Sequence, residues 1–271
     1  MQRWSGFNLV MLAMLSLLLS TAVRATAVRA PTIPAIDPLT GPRAALNKNW
    51  IGLRSLPVDT PILVMAGHAD SQAMAGAGTP GEAVALLGAA PMDPLIRDEL
   101  HWNLLTAERV VALGRQRGLN IRLYVPPLRT IADADDPRTN WSVGKAFVQG
   151  GGYALEIHFD AYGPDGYGSG LIPPLRQPFS RLDESFAAAF GAYPANFRNG
   201  LGAPRRGIAI LEIGKLEGTL EAALRNPASR DAALNAIATR VVQAVEAGLG
   251  STASGLDRLL SPRPDGAGIV P

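Results

Sequence analysis

Short apolar runs bounded by glycine or proline punctuate the chain: PILVMAG at 61–67, GGYALEI at 151–157 and GIAILEIG at 207–214. Runs of this length, rich in aliphatic and β-branched residues and lacking polar alternation, read as strands covered on both faces, as in a parallel sheet. A fourth run, NIRLYV at 120–125, completes the set of predicted strands. Between them the pattern shifts to helical spacing. Asp93-Pro94 predicts a helix start, and Gly118 after two arginines a stop. Within that helix Leu100, Leu104, Ala107 and Val111 form an apolar stripe, with Glu99 and Asn103 together at its margin. Further helices are predicted at 141–149, at 180–190, and from Asn226-Pro227 to Gly248, where Leu234, Ile237, Val241 and Val245 share one face. Alternating strands and helices predict an α/β fold, a single three-layer α/β/α domain with a mostly parallel central sheet.

The ends of the chain read differently. Residues 1–30 have the order of a signal peptide: Arg3, an apolar stretch from Phe7 to Leu19, then small residues around Ala25 and Ala30. That stretch is short for a membrane span, so export is expected, to the periplasm, the extracellular space or the cell wall, without a stable membrane anchor after processing. Residues 31–57 are rich in Pro and polar residues and read as a linker, with Trp50 packing on the domain that spans 58–250. Residues 251–271, rich in Ser, Gly and Pro, read as a flexible tail. Removal of the leader takes away three arginines and no acid, so the formal charge falls from +2 to −1. A near-neutral chain without a Lys/Arg run offers no footprint for nucleic acid. With no cysteine, disulfides, thiolate nucleophiles and Cys metal sites are all excluded.

Only three histidines occur, and two of them, His68 and His158, fall at the carboxyl ends of predicted strands. Ligands of open α/β sheets collect at those ends. A lone strand histidine is more often a hydrogen-bonded core residue than a ligand. Two such histidines together with carboxylates at suitable element ends change that balance. His68, Glu99 and His158 make a His₂Glu set, one of the donor sets of catalytic zinc. Glu212, at the end of its own apolar run, suits proton transfer; alternatively it forms an ion pair with Arg205, Arg206 or Lys215, and either way a partner is expected.

The order of these residues resembles a family, the zinc-dependent N-acetylmuramoyl-L-alanine amidases of type 3. MAGHAD resembles the block with the first zinc histidine, and DELHWNLLTAERVVALGRQRGLNIRLYV the block in which a zinc-binding Glu opens a helix, with Glu99, Asn103, Leu104 and Gly118 matching. ALEIHFDA resembles the block of the second zinc histidine and AILEIGKLEG that of the catalytic Glu. The resemblance spans about residues 60 to 250, four blocks in order. It implies Zn2+ on His68, Glu99 and His158, metal-activated water, Glu212 as general base and then acid, and a peptidoglycan or muropeptide substrate cut between N-acetylmuramic acid and L-alanine. Departures fall beside the histidines: Ala69-Asp70 follows the first, and Glu156 and Asp160 share the face of His158, where either carboxylate can orient the imidazole, enter the metal shell or repel an acidic substrate.

Other residues carry less. His101, two positions after Glu99 on the helix, reads as a surface or packing residue, Ser169 lacks a His/Asp partner and an elbow, and Gly150 to Gly152 read as a turn. Arg129 resembles an arginine of the family but reads equally as a surface residue. The stretch from Tyr162 to Arg206 lines a groove in this reading, with Tyr193, Phe197 and Arg198 as contacts. Some members of the family place there an inhibitory helix that a protein activator removes; here a structural insertion is the favoured reading. Two other functions stay open at this point: a noncatalytic cell-wall-binding protein on the same fold, and a zinc hydrolase of another amide or peptide.

Overall fold

A computed structural model describes residues 36–44, 46 and 48–250. The leader and the tail read from the sequence lie outside the described residues. Five strands form one sheet in the order β2-β1-β3-β5-β4: β1 (Ile62–Ala66), β2 (Ile121–Tyr124), β3 (Tyr153–Asp160), β4 (Gly170–Ile172) and β5 (Ala209–Lys215). Strands β2, β1, β3 and β5 run parallel, and β4 pairs antiparallel with β5 at one edge. The helices are α1 (Gly81–Ala85), α2 (Asp98–Gln116), α3 (Asn140–Gln149), α4 (Arg181–Phe190), α5 (Gly202–Arg205), α6 (Gly218–Arg225) and α7 (Pro227–Gly250).

The sheet is covered on both faces, as its apolar strands require. Ile62, Val64, Leu155, Ile157 and Leu211 pack with residues of α2, α4, α6 and α7, while the alternate positions Leu63, Met65, Ala154 and Ile210 pack with α3 and α5. This is the three-layer α/β arrangement with a mostly parallel sheet. The apolar face of α7 lies as expected, with Leu234, Ile237, Val241 and Val245 all buried. Among the described residues no helix is long and apolar enough to cross a membrane.

One helix begins later than the sequence suggests. Asp93 does not cap α2; its carboxylate accepts the Leu95 N–H at 2.8 Å and closes a turn, and the helix opens at Asp98. The start is fixed there because the fully buried Asp98 carboxylate accepts the Met92 N–H at 2.8 Å and pairs with the Arg225 guanidinium. Removing one member of a buried pair strands the other charge. Arg225→Met is therefore expected to destabilise the protein by about 3 kcal/mol, read as a lower midpoint in urea.

The described residues between 36 and 57 run along the domain and contact it. The Trp50 ring is buried and its Nε1–H donates to the Tyr193 carbonyl at 2.8 Å. Asp37 pairs with Arg240 of α7 at 2.9 Å, and Lys48 with Glu184 of α4 at 2.7 Å. Helix α4 is held against α7 through Ser185, whose hydroxyl donates to the Ala244 carbonyl at 2.7 Å, and by the close approach of Leu182 to Gly248. It lies away from the carboxyl ends of β1 and β3.

Candidate metal centre

Strands β1 and β3 are neighbours with Met65 opposite Glu156, so the chain leaving β1 emerges beside the carboxyl end of β3. His68 sits two residues past β1 with φ of 62°, a left-handed conformation that only surrounding structure can hold in a residue other than glycine. Three amides supply that hold. Asn103 Nδ2 donates to the Gly67 carbonyl at 3.0 Å, Asn140 Nδ2 to the Ala66 carbonyl at 2.7 Å, and Gln72 Nε2 to the His68 carbonyl at 2.9 Å. Asn103, marked in the sequence by its spacing from Glu99 and by the family resemblance, thus tethers the strand end that carries His68.

Glu99 lies in the first turn of α2 and is buried. One of its oxygens, Oε2, accepts the Thr79 N–H at 2.7 Å; the other, Oε1, faces His68 Nε2 at 3.4 Å and His158 Nδ1 at 3.2 Å. One donor atom from each of His68, Glu99 and His158 lies within 4.8 Å of the others. Donors placed tetrahedrally at the bond lengths of zinc stand about 3.3 Å apart, close to both carboxylate–imidazole separations. This set of two imidazole nitrogens and one carboxylate oxygen can hold a metal ion. Burial works against charge on Glu99, but His68, the hydrogen bond from His158 and the Thr79 N–H outweigh it and hold the carboxyl below the usual range. Burial lowers His68 as well and favours its neutral, ligating form.

His158 is buried with a carboxylate on each side, Glu99 at Nδ1 and Glu156 at Nε2, the latter at 3.5 Å. Desolvation disfavours its cation, yet the two carboxylates prevail and raise it well above the ordinary histidine value. Of the two carboxylates flagged beside His158, Glu156 meets the imidazole. Asp160 turns to the loop that follows β3 and accepts the N–H groups of Ala161 and Gly168, each at 2.8 Å. Asp70 also leaves the histidines: its Oδ2 accepts the Asn140 N–H at 2.7 Å, at the start of α3.

The imidazole of His158 lies over Gly67, where a Cβ would stand 2.2 Å from both Cε1 and Nε2. No side chain fits between them. Gly67→Ala is expected to push the ring aside and weaken metal binding about 10- to 100-fold, the range seen when the support of a ligand is disturbed. A competition titration with a coloured chelator measures this, and circular dichroism checks that the fold is kept.

Glu212 is opposite His158 in the β3–β5 ladder and faces the same cavity of about 520 Å³, whose apolar wall includes Ile131, Trp141, Leu201 and Ile210. The expected partner of Glu212 is absent among the described residues. Its Oε2 is buried without a hydrogen bond, because the three cations nearest in sequence are engaged elsewhere. Lys215 pairs with Glu217 at 2.6 Å, Arg206 with Asp135 at 3.3 Å, and Arg205 donates to the Asn199 carbonyl at 2.6 Å. Burial, aided by Asp160 and Glu99 and opposed by His158 and, less, by Arg198, pushes the carboxyl up to about 8. A cation at the His68–Glu99–His158 cluster would relieve that repulsion, so the surroundings of the cluster fit a metal as well as its donors do.

The remaining sequence candidates fall outside the cluster. His101 packs edge-on against Trp102, with ring centroids 4.7 Å apart. Ser169 is buried and donates to the Phe190 carbonyl at 2.7 Å. No residue of α4 lines the cavity, so nothing in that helix covers the cluster.

The sequence matches no protein-family model and no curated protein. Solved structures similar to the chain include the catalytic domain of an N-acetylmuramoyl-L-alanine amidase from Bacillus (Paenibacillus) polymyxa var. colistinus, at 16% identity and TM-score 0.45, covering 68% of this chain and 96% of that one. The apo N-acetylmuramyl-L-alanine amidase of Mycobacterium abscessus is similar at 16% identity and TM-score 0.46, covering 70% and 98%. The corresponding amidase of Nostoc punctiforme stands at 14% identity and TM-score 0.42, covering 74% and 98%.

Proposed function

We propose that the protein is an exported zinc amidase that hydrolyses the bond between N-acetylmuramic acid and the L-alanine of peptidoglycan or of soluble muropeptides. The observation that carries this reading is the convergence of His68, Glu99 and His158, drawn from three separate elements, with Glu212 on the adjoining strand. The four sequence blocks that resemble the type 3 amidases contribute these four residues in the same order.

His68 and His158 through ring nitrogens and Glu99 through Oε1 would hold the zinc, which when bound supplies Lewis acidity toward water and toward the amide carbonyl. Glu212 does the proton work. Its ionised carboxylate takes a proton from the attacking water and returns one to the alanine nitrogen, so that the amine leaves neutral. Glu156, against His158 Nε2, accepts a hydrogen bond from the imidazole and leaves Nδ1 turned to Glu99. The apolar wall of the cavity lowers the local polarity beside the carboxylates and strengthens their fields.

Zinc analysis of the processed chain joined to a sacculus digest tests the reading. About one zinc per chain is expected, with mass spectrometry showing free stem peptides that begin in L-alanine and glycan that keeps its lactyl carboxylate. A metal-free protein that binds sacculi without releasing peptide would point instead to the noncatalytic wall-binding function, and zinc with other products to a different amide substrate.

A further inference from the structure

The residues lining the cavity around the cluster include five acids, Asp70, Glu99, Glu156, Asp160 and Glu212, and one permanent cation among the described residues, Arg198. A peptide with a free carboxylate would enter a lining rich in acids, so the single guanidinium decides whether such a substrate is tolerated.

Several features of Arg198 fit a group kept for a ligand. No ion pair to a carboxylate engages it among the described residues, whereas Arg206 and Lys215, outside the lining, are paired. Its one hydrogen bond, to the Asp165 carbonyl, is long at 3.5 Å. The guanidinium is instead set against rings, 5.1 Å from the centre of Phe197 and 5.8 Å from that of Tyr167, contacts that orient the planar fork and leave its N–H donors unspent. Those rings are braced in turn: Phe197 meets Tyr193 edge-on at 4.8 Å, and the buried Tyr193 hydroxyl donates to the Gly168 carbonyl at 2.7 Å. The backbone is also held in an unusual state. Arg198 has φ of 50° and Asn199 φ of 59°, two successive left-handed residues that are not glycine. A bulky residue in that region is costly, and such conformations cluster where a side chain must be aimed.

We propose that Arg198 is a specificity-determining residue that binds a carboxylate on the peptide side of the scissile amide. This rests on the amidase reading above, and the chemistry of that substrate selects the side. The lactyl carboxyl of muramic acid is consumed in the amide, so the glycan flank bears no free carboxylate and the acids of the substrate lie in the peptide. A guanidinium fork suits them because it accommodates both oxygens at once.

The test uses N-acetylmuramoyl-L-alanyl-glutamate with both carboxylates free and the same compound with both as carboxamides. Calorimetry on the zinc-loaded Glu212→Gln protein measures binding without turnover, and steady-state kinetics on the protein with Glu212 intact measures hydrolysis. With Arg198 present the acid is expected to bind more tightly than the amide. Arg198→Ala weakens binding of the acid about tenfold and changes the amide less than about twofold, with the loss in KM and not in kcat. Arg198→Lys, which keeps charge but not the fork, falls between. Arg198 is exposed, and an unchanged thermal midpoint confirms that the variants fold. Equal weakening of both compounds, no weakening, failure of both to bind, or a fall confined to kcat overturns the proposal. Discrimination in binding without hydrolysis would keep the carboxylate site and refute the amidase reading; hydrolysis without discrimination does the reverse.

Discussion

A Glu212→Gln protein is expected to keep its zinc and to hydrolyse substrate about 10²- to 10⁴-fold more slowly, the span attributed to a positioned general base. The two outcomes separate because Glu212 is outside the donor cluster: His68, Glu99 and His158 contact one another, whereas Glu212 reaches the cavity from β5. Glutamine preserves size and loses only the ability to carry a proton. The same substitution has an effect without turnover. In metal-free protein the carboxyl is pushed up to about 8, first by burial and then by Asp160 and Glu99, against the pull of His158 and Arg198. A carboxyl raised in the folded state stabilises the fold fully below its unfolded value, about 4.3, and that contribution is lost as pH rises toward 8. Stability in the presence of chelator should therefore decline across this window, and Glu212→Gln should flatten the decline. Thermal midpoints from pH 4 to 9 read the difference. Parental hydrolysis by Glu212→Gln would remove the residue from the mechanism, and an unchanged pH slope would remove the account of its burial.

The convergence of His68, Glu99 and His158 is legible in the sequence because each lies at one end of an element whose pattern is strong. The apolar runs before His68 and around His158 admit no other placement in a parallel sheet, and Glu99 falls one position into a helix with a clear stripe. The start of that helix was not legible. Asp93-Pro94 has the chemistry of a helix start, and the tertiary pairing of Asp98 with Arg225 moves the start four residues on. Strand β4 was missed because Gly170–Ile172 is too short to show a period, and its place comes from antiparallel pairing with Leu211 and its neighbours. The partner expected for Glu212 was argued from the cost of burying a carboxylate alone. That cost is present in a carboxyl pushed up to about 8, and no ion pair offsets it among the described residues. The role of Gly67 depends on close approach between distant segments, a contact that leaves no trace in local sequence.

His158→Ala should abolish both metal binding and hydrolysis, and the contrast with Glu212→Gln is what assigns the two roles. Alanine removes one of three donors, and it also leaves Glu99 and Glu156 buried without the imidazole that stood between them. Removing one member of a buried charged set costs about 3–5 kcal/mol at full burial, and the His68 contact with Glu99 reduces the loss here. A ligand that binds only the folded state raises its stability as RT ln(1 + [L]/Kd). Zinc is therefore expected to raise the melting temperature of the parental protein and of Glu212→Gln, and to leave that of His158→Ala unchanged. Differential scanning fluorimetry over a zinc series, with far-ultraviolet circular dichroism to confirm folding, makes the comparison. A zinc-dependent rise in folded His158→Ala equal to the parental one would mean that the metal is held elsewhere, and the convergence of His68, Glu99 and His158 would then be an ordinary buried hydrogen-bond network with no part in hydrolysis.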